Sequence, residues 1–498
     1  MNFVMDTDDL PTDCELVVVG GGPAGSALAT FVAMQGHRVI LLEKEQFPRH
    51  QIGESLLPAT IHGICPLLGV SEELRKANFV RKLGGTFRWG RNQEPWTFSF
   101  ASSPRMVGST GFAYQVERSR FDSILLQNAR KRGVDVREQT QVTEVIKDAG
   151  RVTGVRAIDR AGGSYEVKAR FVADTSGNTS RIYKAVTERV YSKLFRNVAL
   201  YAYYEGGKRL PVPNDGNILS AAFPGGWFWY IPLSPTLTSV GAVVDREHAK
   251  HIHGNEEEAM RRFIDSCPLI KTYLSNASRI THGEYGRYRV RTDYSYCTES
   301  FWTPGMVLVG DAACFVDPVF SSGVHLATYG ALLAARSINS TLKGDLDEKM
   351  TFREFEMRYR REFGHFYQFL AAFYNIDQDA DSYFWSARKL LNSEESANEA
   401  FVRLVAGVGV SGEPLFGSTD ELARATDALT NSFERAQGGG TGNLNSKLLD
   451  TAFMARLTRE AVQMQMQALT GDVTLESPMW PLGLVPSRDG LHWRAVTA

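Results

Sequence analysis

Long apolar runs are missing from this chain. Nowhere do its 498 residues string together the roughly 18 apolar positions needed to cross a bilayer. A surplus of one charge is missing too. Lysine plus arginine number 55 and aspartate plus glutamate 56, so bulk charge gives no argument for nucleic acid or an anionic membrane. Cysteine is scarce. The five residues, Cys14, Cys65, Cys267, Cys297 and Cys314, make neither a disulfide framework nor a Cys-x-x-Cys metal site. The N-terminus is acidic (Asp6, Asp8, Asp9) and lacks the basic-then-apolar layout of a secretory leader. Together these absences predict a soluble protein of a reducing, cytoplasmic compartment, with no nucleic-acid or membrane partner. The length leaves room for large cores, in about three domains or one elaborated one.

What is present starts with a short β-branched run, Glu15 to Gly20, which reads as a buried parallel strand. Gly20-x-Gly22-x-x-Gly25 follows at once, then helical character from Ser26 to Gln35, then a second strand from Arg38 to Leu42. These glycines permit a tight turn, close approach of backbone to a pyrophosphate and close helix–strand packing. The helix N-terminus supplies amides and dipole for the phosphates. Glu43 closes the second strand, where a carboxylate can accept hydrogen bonds from ribose hydroxyls. The full strand-turn-helix-strand-acid order predicts dinucleotide binding. No second fingerprint of this kind follows a strand, which predicts that the chain has no nicotinamide-binding domain of its own.

Two later segments deliver an acid from a buried strand: Phe171 to Asp174 with Gly177 beyond, and Met306 to Gly310 with Asp311. Between them lies Trp227-Phe228-Trp229-Tyr230-Ile231-Pro232. Strand alternation puts Trp227, Trp229 and Ile231 on one face and Phe228 and Tyr230 on the other, and Pro232 should end the strand or confine it to an edge. Such a run ordinarily reads as core. Two adjacent indoles nevertheless make a large rigid wall.

The Trp-x-Trp-x-Ile-Pro run beside the glycine fingerprint resembles the signature of the FAD-dependent halogenases, and the two strand-to-acid segments resemble motifs of p-hydroxybenzoate-hydroxylase-like flavoproteins. The resemblance reaches from about residue 14 to at least 405. It implies an α/β, p-hydroxybenzoate-hydroxylase-like FAD-binding fold with a strand-rich substrate-facing sheet and a C-terminal helical region. The expected division is a discontinuous FAD-binding core over 1–345, its substrate-facing sheet at about 188–285, and a helical, partly mobile region over 346–498. Within the latter, aromatic-rich helices are expected at Phe352 to Tyr374 and Ser382 to Leu391, a loop at about 409–446, a helix at about 447–468, and an irregular tail holding Trp480 and Trp493. Residues 256–266 read as an amphipathic helix.

For the site, the resemblance implies FAD held at Gly20, Gly22, Gly25 and Glu43, with Asp311 on the ribityl chain and Arg49 and Arg118 as further contacts. It implies Lys82 as the essential lysine of a halogenase, and chloride on successive amides at Ser322 and Gly323, in the turn Asp317 to His325. Trp227 and Trp229 would keep the substrate ring off the flavin. The chemistry implied is a two-component reaction with a separate flavin reductase: reduced FAD and O₂ form a C4a-hydroperoxide, chloride attacks it, and Lys82 directs the hypochlorous acid onto a ring. The physical case for Lys82 is that an ammonium hydrogen-bonds a small neutral oxidant and sharpens it, while a neutral amine could itself be chlorinated. Phe320 stands where free-tryptophan halogenases carry a glutamate, which argues for a phenolic or pyrrolic ring; it also reads as a packing residue.

The segments from Gln51, Phe112 and Gly310 look like the branch of glycopeptide-antibiotic and chondrochloren type. That branch implies a tyrosyl-like substrate and a peptidyl or acyl carrier protein bearing it. Rival readings are an aromatic hydroxylase on the same fold, which would need the ring against the flavin, and a flavin-binding protein without turnover. His248, His251 and His253 read as a solvated loop rather than a metal site. His325 reads either as a flavin contact or as packing.

Overall fold

A computed structural model describes residues 13–89, 94–102, 111–179, 181–376, 478–480 and 482–496. The strand Cys14–Val19 is its organising element. Leu16, Val17 and Val18 are fully buried, as an all-apolar run must be when both faces of a parallel sheet are covered. It pairs in parallel with Val39–Leu42 on one side and with the far half of Ser164–Asp174 on the other, so Val19 stands level with both Leu42 and Asp174. Asp135–Arg137 and Met306–Leu308 extend the array at its two ends. The loops carrying Gly20, Glu43, Thr175 and Gly310 therefore leave one edge side by side. That edge, at the carboxyl ends of the strands, is where an open parallel sheet takes its ligand.

A second sheet, nine-stranded among the described residues, stands beside the first. Arg189–Glu205, Leu237–Val244, Gly226–Pro232 and Ile218–Phe223 are successive antiparallel neighbours in it. Gly84–Arg88 then joins Ile218–Phe223 in parallel, which brings Lys82 to the rim of this sheet. The expected alternation holds. Trp227, Trp229 and Ile231 belong to the main core, whereas Phe228 and Tyr230 enter a second apolar cluster under the helix Glu256–Asp265. Gly226–Pro232 is paired on both sides, so Pro232 terminates an interior strand rather than marking an edge.

The helix Pro23–Ala33 packs on Gly323–Lys343, which packs in turn on Glu348–Ile376. Phe352, Phe355, Tyr359 and Phe363 form the buried stripe of this last helix, at helical spacing. The tail differs from the irregular segment expected of it. Leu484–Pro486 and Trp493–Ala495 form a hairpin. It is fixed to the helix Gly323–Lys343: the Trp493 N–H donates to Ser340 Oγ at 2.7 Å, the Trp493 indole to Ser337 Oγ at 2.9 Å, and Arg336 Nε to the Gly490 carbonyl at 2.7 Å. Tertiary hydrogen bonds to helix side chains supply the order here, and no local pattern announces them. The elements expected at 382–391, 409–446 and 447–468 lie outside the described residues.

Candidate active site

A cavity of about 370 Å³ opens where the strand ends meet, lined among others by Gly20, Gly22, Glu43, Arg49, Arg118 and Asp311. Gly20 has φ +103°, and a Cβ on it would meet the Thr175 carbonyl oxygen at 2.8 Å. Gly25 lies behind the turn; a Cβ there would stand 1.9 Å from the Gly20 carbonyl oxygen, so the helix can approach the strand only with glycine at this position. Glu43 turns back onto the loop, Oε2 accepting from the Gly21 N–H at 2.6 Å. Arg49 and Arg118 converge on buried Asp122, Arg118 through both of its carboxylate oxygens, and Arg118 also donates to the Ile52 carbonyl. Both arginines thus serve the fold as well as lining the cavity. Asp311 has no hydrogen bond to its carboxyl among the described residues, and burial pushes that carboxyl up to about 6 against the lowering pull of Arg118, Arg189 and Arg291. A carboxyl short of donors, opposite a glycine cradle at a helix N-terminus, fits a dinucleotide bearing sugar hydroxyls.

Trp227, Trp229 and Ile231 line the same cavity. Trp227 is 1% exposed; its indole N–H donates to Tyr374 Oη at 2.7 Å, and Tyr374 donates to Asp317 Oδ2 at 2.8 Å. Trp229 donates to Ser239 Oγ at 3.1 Å and lies flat on Gly241, where a Cβ would meet the ring at 2.2 Å. The two ring centroids are 6.3 Å apart. Neither indole can swing without breaking a buried hydrogen bond.

Asp317 begins the next turn, Oδ1 accepting from the Val319 N–H at 3.1 Å. One turn of 3-10 helix spans Pro318–Phe320, Ser321 takes the left-handed conformation at φ +59°, and the long helix Gly323–Lys343 starts. A serine followed by glycine at a helix start ordinarily caps the helix and makes the tight turn, and two details here depart from that. Ser322 holds the N-cap position, but its hydroxyl makes no capping bond and is buried without a partner; the left-handed residue is Ser321. A Cβ on Gly323 would meet nothing within 4 Å, and Gly323 lines the cavity. Neither the backbone conformation nor packing against described residues demands glycine there, and the Ser322 and Gly323 N–H groups make no hydrogen bond among the described residues. Phe320 packs against Phe87, their ring centroids 6.5 Å apart.

Lys82, 2% exposed, reaches the same turn. Its Nζ donates to Ser55 Oγ at 2.8 Å, to the Leu56 carbonyl at 3.1 Å and to Ser321 Oγ at 3.4 Å. All three acceptors are neutral. Burial alone lowers this ammonium to about 7, because no carboxylate stands by to hold its charge.

The tryptophan halogenase family pattern matches residues 15–108 and 102–425. A protein named tryptophan 2-halogenase from Chondromyces crocatus is 34% identical over 411 residues, 80% of this chain and 76% of that protein. A carrier-protein-bound pyrrole-2-carbonyl chlorinase of Pseudomonas fluorescens is 28% identical over 395 residues, 73% and 84% of the two chains. Among solved structures, the myxobacterial chondrochloren halogenase, described as a variant of FAD-dependent halogenases, is 55% identical with a TM-score of 0.77, covering 97% of this chain and all of that one. This chain belongs to the FAD-dependent halogenases. The halogenase is accordingly an oxidoreductase that uses FAD and a halide, and enzymes of this kind need a flavin reductase to supply reduced flavin.

The halogenase's histidines sort plainly. His325 is fully buried, with Nε2 2.8 Å from Glu362 Oε1 and its ring stacked on Tyr329, so it packs. His248 pairs with Asp245 at the start of a short helix, and no cluster of metal-ligating side chains occurs among the described residues. No helix among them is long and apolar enough to cross a membrane. Three residues of the halogenase escaped sequence reasoning. Tyr374 was read only as one of several helical aromatics, yet it ties Trp227 to the turn. Glu54 and Tyr203 form a buried pair at the cavity wall. A carboxylate set among apolar neighbours in the segment from Gln51 to Pro58 was the available signal for Glu54.

Proposed function

We propose that this halogenase chlorinates a phenolic, tyrosyl-like ring borne on a peptidyl or acyl carrier protein, and accepts bromide in place of chloride. FAD, once reduced by the separate reductase, supplies with O₂ the oxidising equivalent that turns chloride into hypochlorous acid. The chain's own residues do the rest. Gly20, Gly22, Gly25 and Glu43 seat the dinucleotide, with Arg49, Arg118 and Asp311 around it. The amides of Ser322 and Gly323 hold the halide without a charged side chain. Trp227 and Trp229 bar an arene from the flavin end, so only a small oxidant passes. Lys82 then hydrogen-bonds the hypochlorous acid through Nζ and raises its electrophilicity at the ring carbon.

The observation that carries this reading is the hydrogen bond from Lys82 Nζ to Ser321, the residue before the halide-holding pair. One buried cation with only neutral partners, beside a helix end open to the cavity, suits delivery of a neutral oxidant. Phe320 supports a phenol, since a phenol oxygen already pushes charge onto its ortho carbons and needs no carboxylate in the turn. Similarity to a chlorinase of a carrier-bound pyrrole supports the tethered substrate.

The test is mass spectrometry after incubation with reductase, FAD, NADH and chloride, offering tyrosyl-carrier, free tyrosine and free tryptophan in separate reactions. A chlorine-for-hydrogen mass shift on the tyrosyl-carrier alone is expected. Chlorination of free tryptophan in preference would overturn the substrate assignment.

A further inference from the structure

Chlorinating one ring with one O₂ releases two waters, which need four hydrogens. Two come from reduced flavin and one from the ring. The fourth must enter as a proton from solvent, and it must reach the flavin cavity, whose lining includes the two indoles.

A line of hydrogen-bonding groups leads there. His50 is partly exposed, and its Nε2 lies 2.7 Å from Tyr203 Oη. Tyr203, fully buried on the strand Arg189–Glu205, donates to Glu54 Oε1 at 2.8 Å. Glu54 is 2% exposed and lines the flavin cavity between Gly53 and Ser55. Its second oxygen, Oε2, is buried with no partner in hydrogen-bond geometry, although the Ser239 hydroxyl stands close enough to the carboxyl to favour its ionised form. A buried polar atom in that state is costly unless something in the cavity satisfies it. Neither the cofactor cradle, the halide turn nor Lys82 uses these three residues.

We propose that Glu54 is the acid that delivers this proton inside the flavin cavity, reloaded from solvent through Tyr203 and His50. The carboxyl O–H bond breaks and its proton goes to the oxygen atom of O₂ that departs as water. The carboxylate left behind takes the Tyr203 proton, Tyr203 takes one from His50 Nε2, and His50 takes one from water at Nδ1. Each member recovers its charge and one proton has crossed; the chain is left reversed, with His50 protonated at Nδ1 and Glu54 at Oε1, so the hydroxyl, carboxyl and imidazole protons must reorient before the next turnover.

The surroundings keep each member in the form this needs. Burial pushes Glu54 up to about 7, outweighing the hydroxyls of Ser239 and Tyr203 and the Arg118 guanidinium, while Glu117 adds to the rise. Burial, then Arg289, Arg291, Arg118 and Arg49, hold His50 down at about 3. His50 is therefore a neutral imidazole, able to take a proton at one nitrogen and give it from the other. Burial, Glu54, Tyr201 and Tyr285 keep Tyr203 protonated. The assignment rests on the halogenase reaction itself and not on which ring is chlorinated.

The test combines infrared difference spectroscopy with a pH-indicator measurement of proton uptake, on the FAD-loaded enzyme. In the spectrum of wild type minus Glu54→Gln, a protonated-carboxyl C=O band is expected at pH 6, fading with a midpoint near 7. After reduction and mixing with O₂ and chloride, proton uptake should slow about 100-fold in Glu54→Gln, the lower end of general-acid effects, with FAD affinity unchanged. Tyr203→Phe should slow it comparably while keeping the carboxyl band, and Glu54→Asp should recover part of the rate. Lys82→Ala should leave the band intact, which separates failure here from failure of the lysine assignment. Absence of the band, or wild-type proton uptake in either Glu54→Gln or Tyr203→Phe, would overturn the proposal.

Discussion

Lys82 and Ser321 are 239 residues apart in sequence, yet Nζ and Oγ meet at 3.4 Å, so the buried cation and the halide turn share one contact. Ser321 itself takes the left-handed conformation that closes the 3-10 turn Pro318–Phe320, and this sets where its hydroxyl stands. A lysine there is costly to the fold. Its ordinary value of 10.5 falls to about 7 by burial, a difference of about 4 to 5 kcal/mol at the usual 1.36 kcal/mol per unit. The sign follows from proton counting. Between 7 and 10.5 the unfolded chain binds the proton and the folded one does not, so stability rises with pH across that window, and the full penalty applies below it.

Lys82→Met should accordingly stabilise the protein at pH 6 by about 1 to 3 kcal/mol, less than the full penalty because Ser55 and the Leu56 carbonyl lose their donor. Chemical denaturation at pH 6 and pH 9 measures this, and the gain should shrink at the higher pH. Halogenation should fall at least about 100-fold while FAD still binds. A variant with wild-type halogenation would remove Lys82 from the chemistry.

The pH–rate profile should follow from the same group. If the ammonium is the working form, product formation declines as pH rises through about 7, and in Lys82→Arg that falling limb moves above pH 9 in whatever activity survives. Steady-state rates with saturating reduced flavin, from pH 6 to 9.5, decide it. A rate that climbs through the same window would instead point to the neutral amine.

Much of the frame was legible in sequence because it is local. The glycine fingerprint, the acid ending the second strand and the alternation of the Trp227 strand each depend on neighbours within a few residues, and the structure brings Gly20, Glu43 and Asp311 to one cavity and Trp227 and Trp229 to its wall. What was not legible depends on contacts between distant segments. Tyr374 is tied to Trp227 across 147 residues and the Trp493 indole to Ser337 across 156, and no periodicity foretells either. Arg49 and Arg118 show the converse. The resemblance implied cofactor contacts, while the geometry adds a buried carboxylate, Asp122, that both must also satisfy.

Gly25→Ala should weaken flavin binding. The added methyl would stand 1.9 Å from the Gly20 carbonyl oxygen and 2.5 Å from Thr175 Oγ1, so the helix must move off the strand and carry its amides with it. At least a tenfold loss of FAD affinity is expected by fluorescence quenching. Gly22→Ala, whose Cβ would meet only the tip of Arg49 at 3.6 Å, should leave the fold intact and weaken binding less.

Gly323→Ala isolates the halide. Beyond its chain neighbours and its own helix backbone no described atom lies within 4 Å of the new methyl, so Tm should be unchanged, while the methyl projects beside the first amides of the helix. The chloride KM should rise about tenfold, with bromide affected more because it is larger, and FAD affinity should hold. Initial rates against chloride and bromide concentration test this. An unchanged KM for both ions would move the halide away from Ser322 and Gly323.

Trp227 and Tyr374 should act as a unit. The indole donates to Tyr374, Tyr374 to Asp317, and Asp317 Oδ1 caps the turn that leads to Ser321, so the wall and the halide turn are mechanically linked. Trp227→Phe and Tyr374→Phe each break that line, and Tyr374→Phe also takes the acceptor from the buried Trp227 N–H, at about 1 to 3 kcal/mol. The double variant should therefore lose less stability than the two singles added together, by about 1 kcal/mol or more. Both singles should also raise the fraction of reduced flavin spent on hydrogen peroxide rather than on product, since a slackened turn and wall let the oxidant escape. Peroxide yield per turnover, measured beside the stability cycle, separates the two effects. Additive stabilities with unchanged peroxide would mean that the wall and the turn work independently, despite the hydrogen bonds that join them.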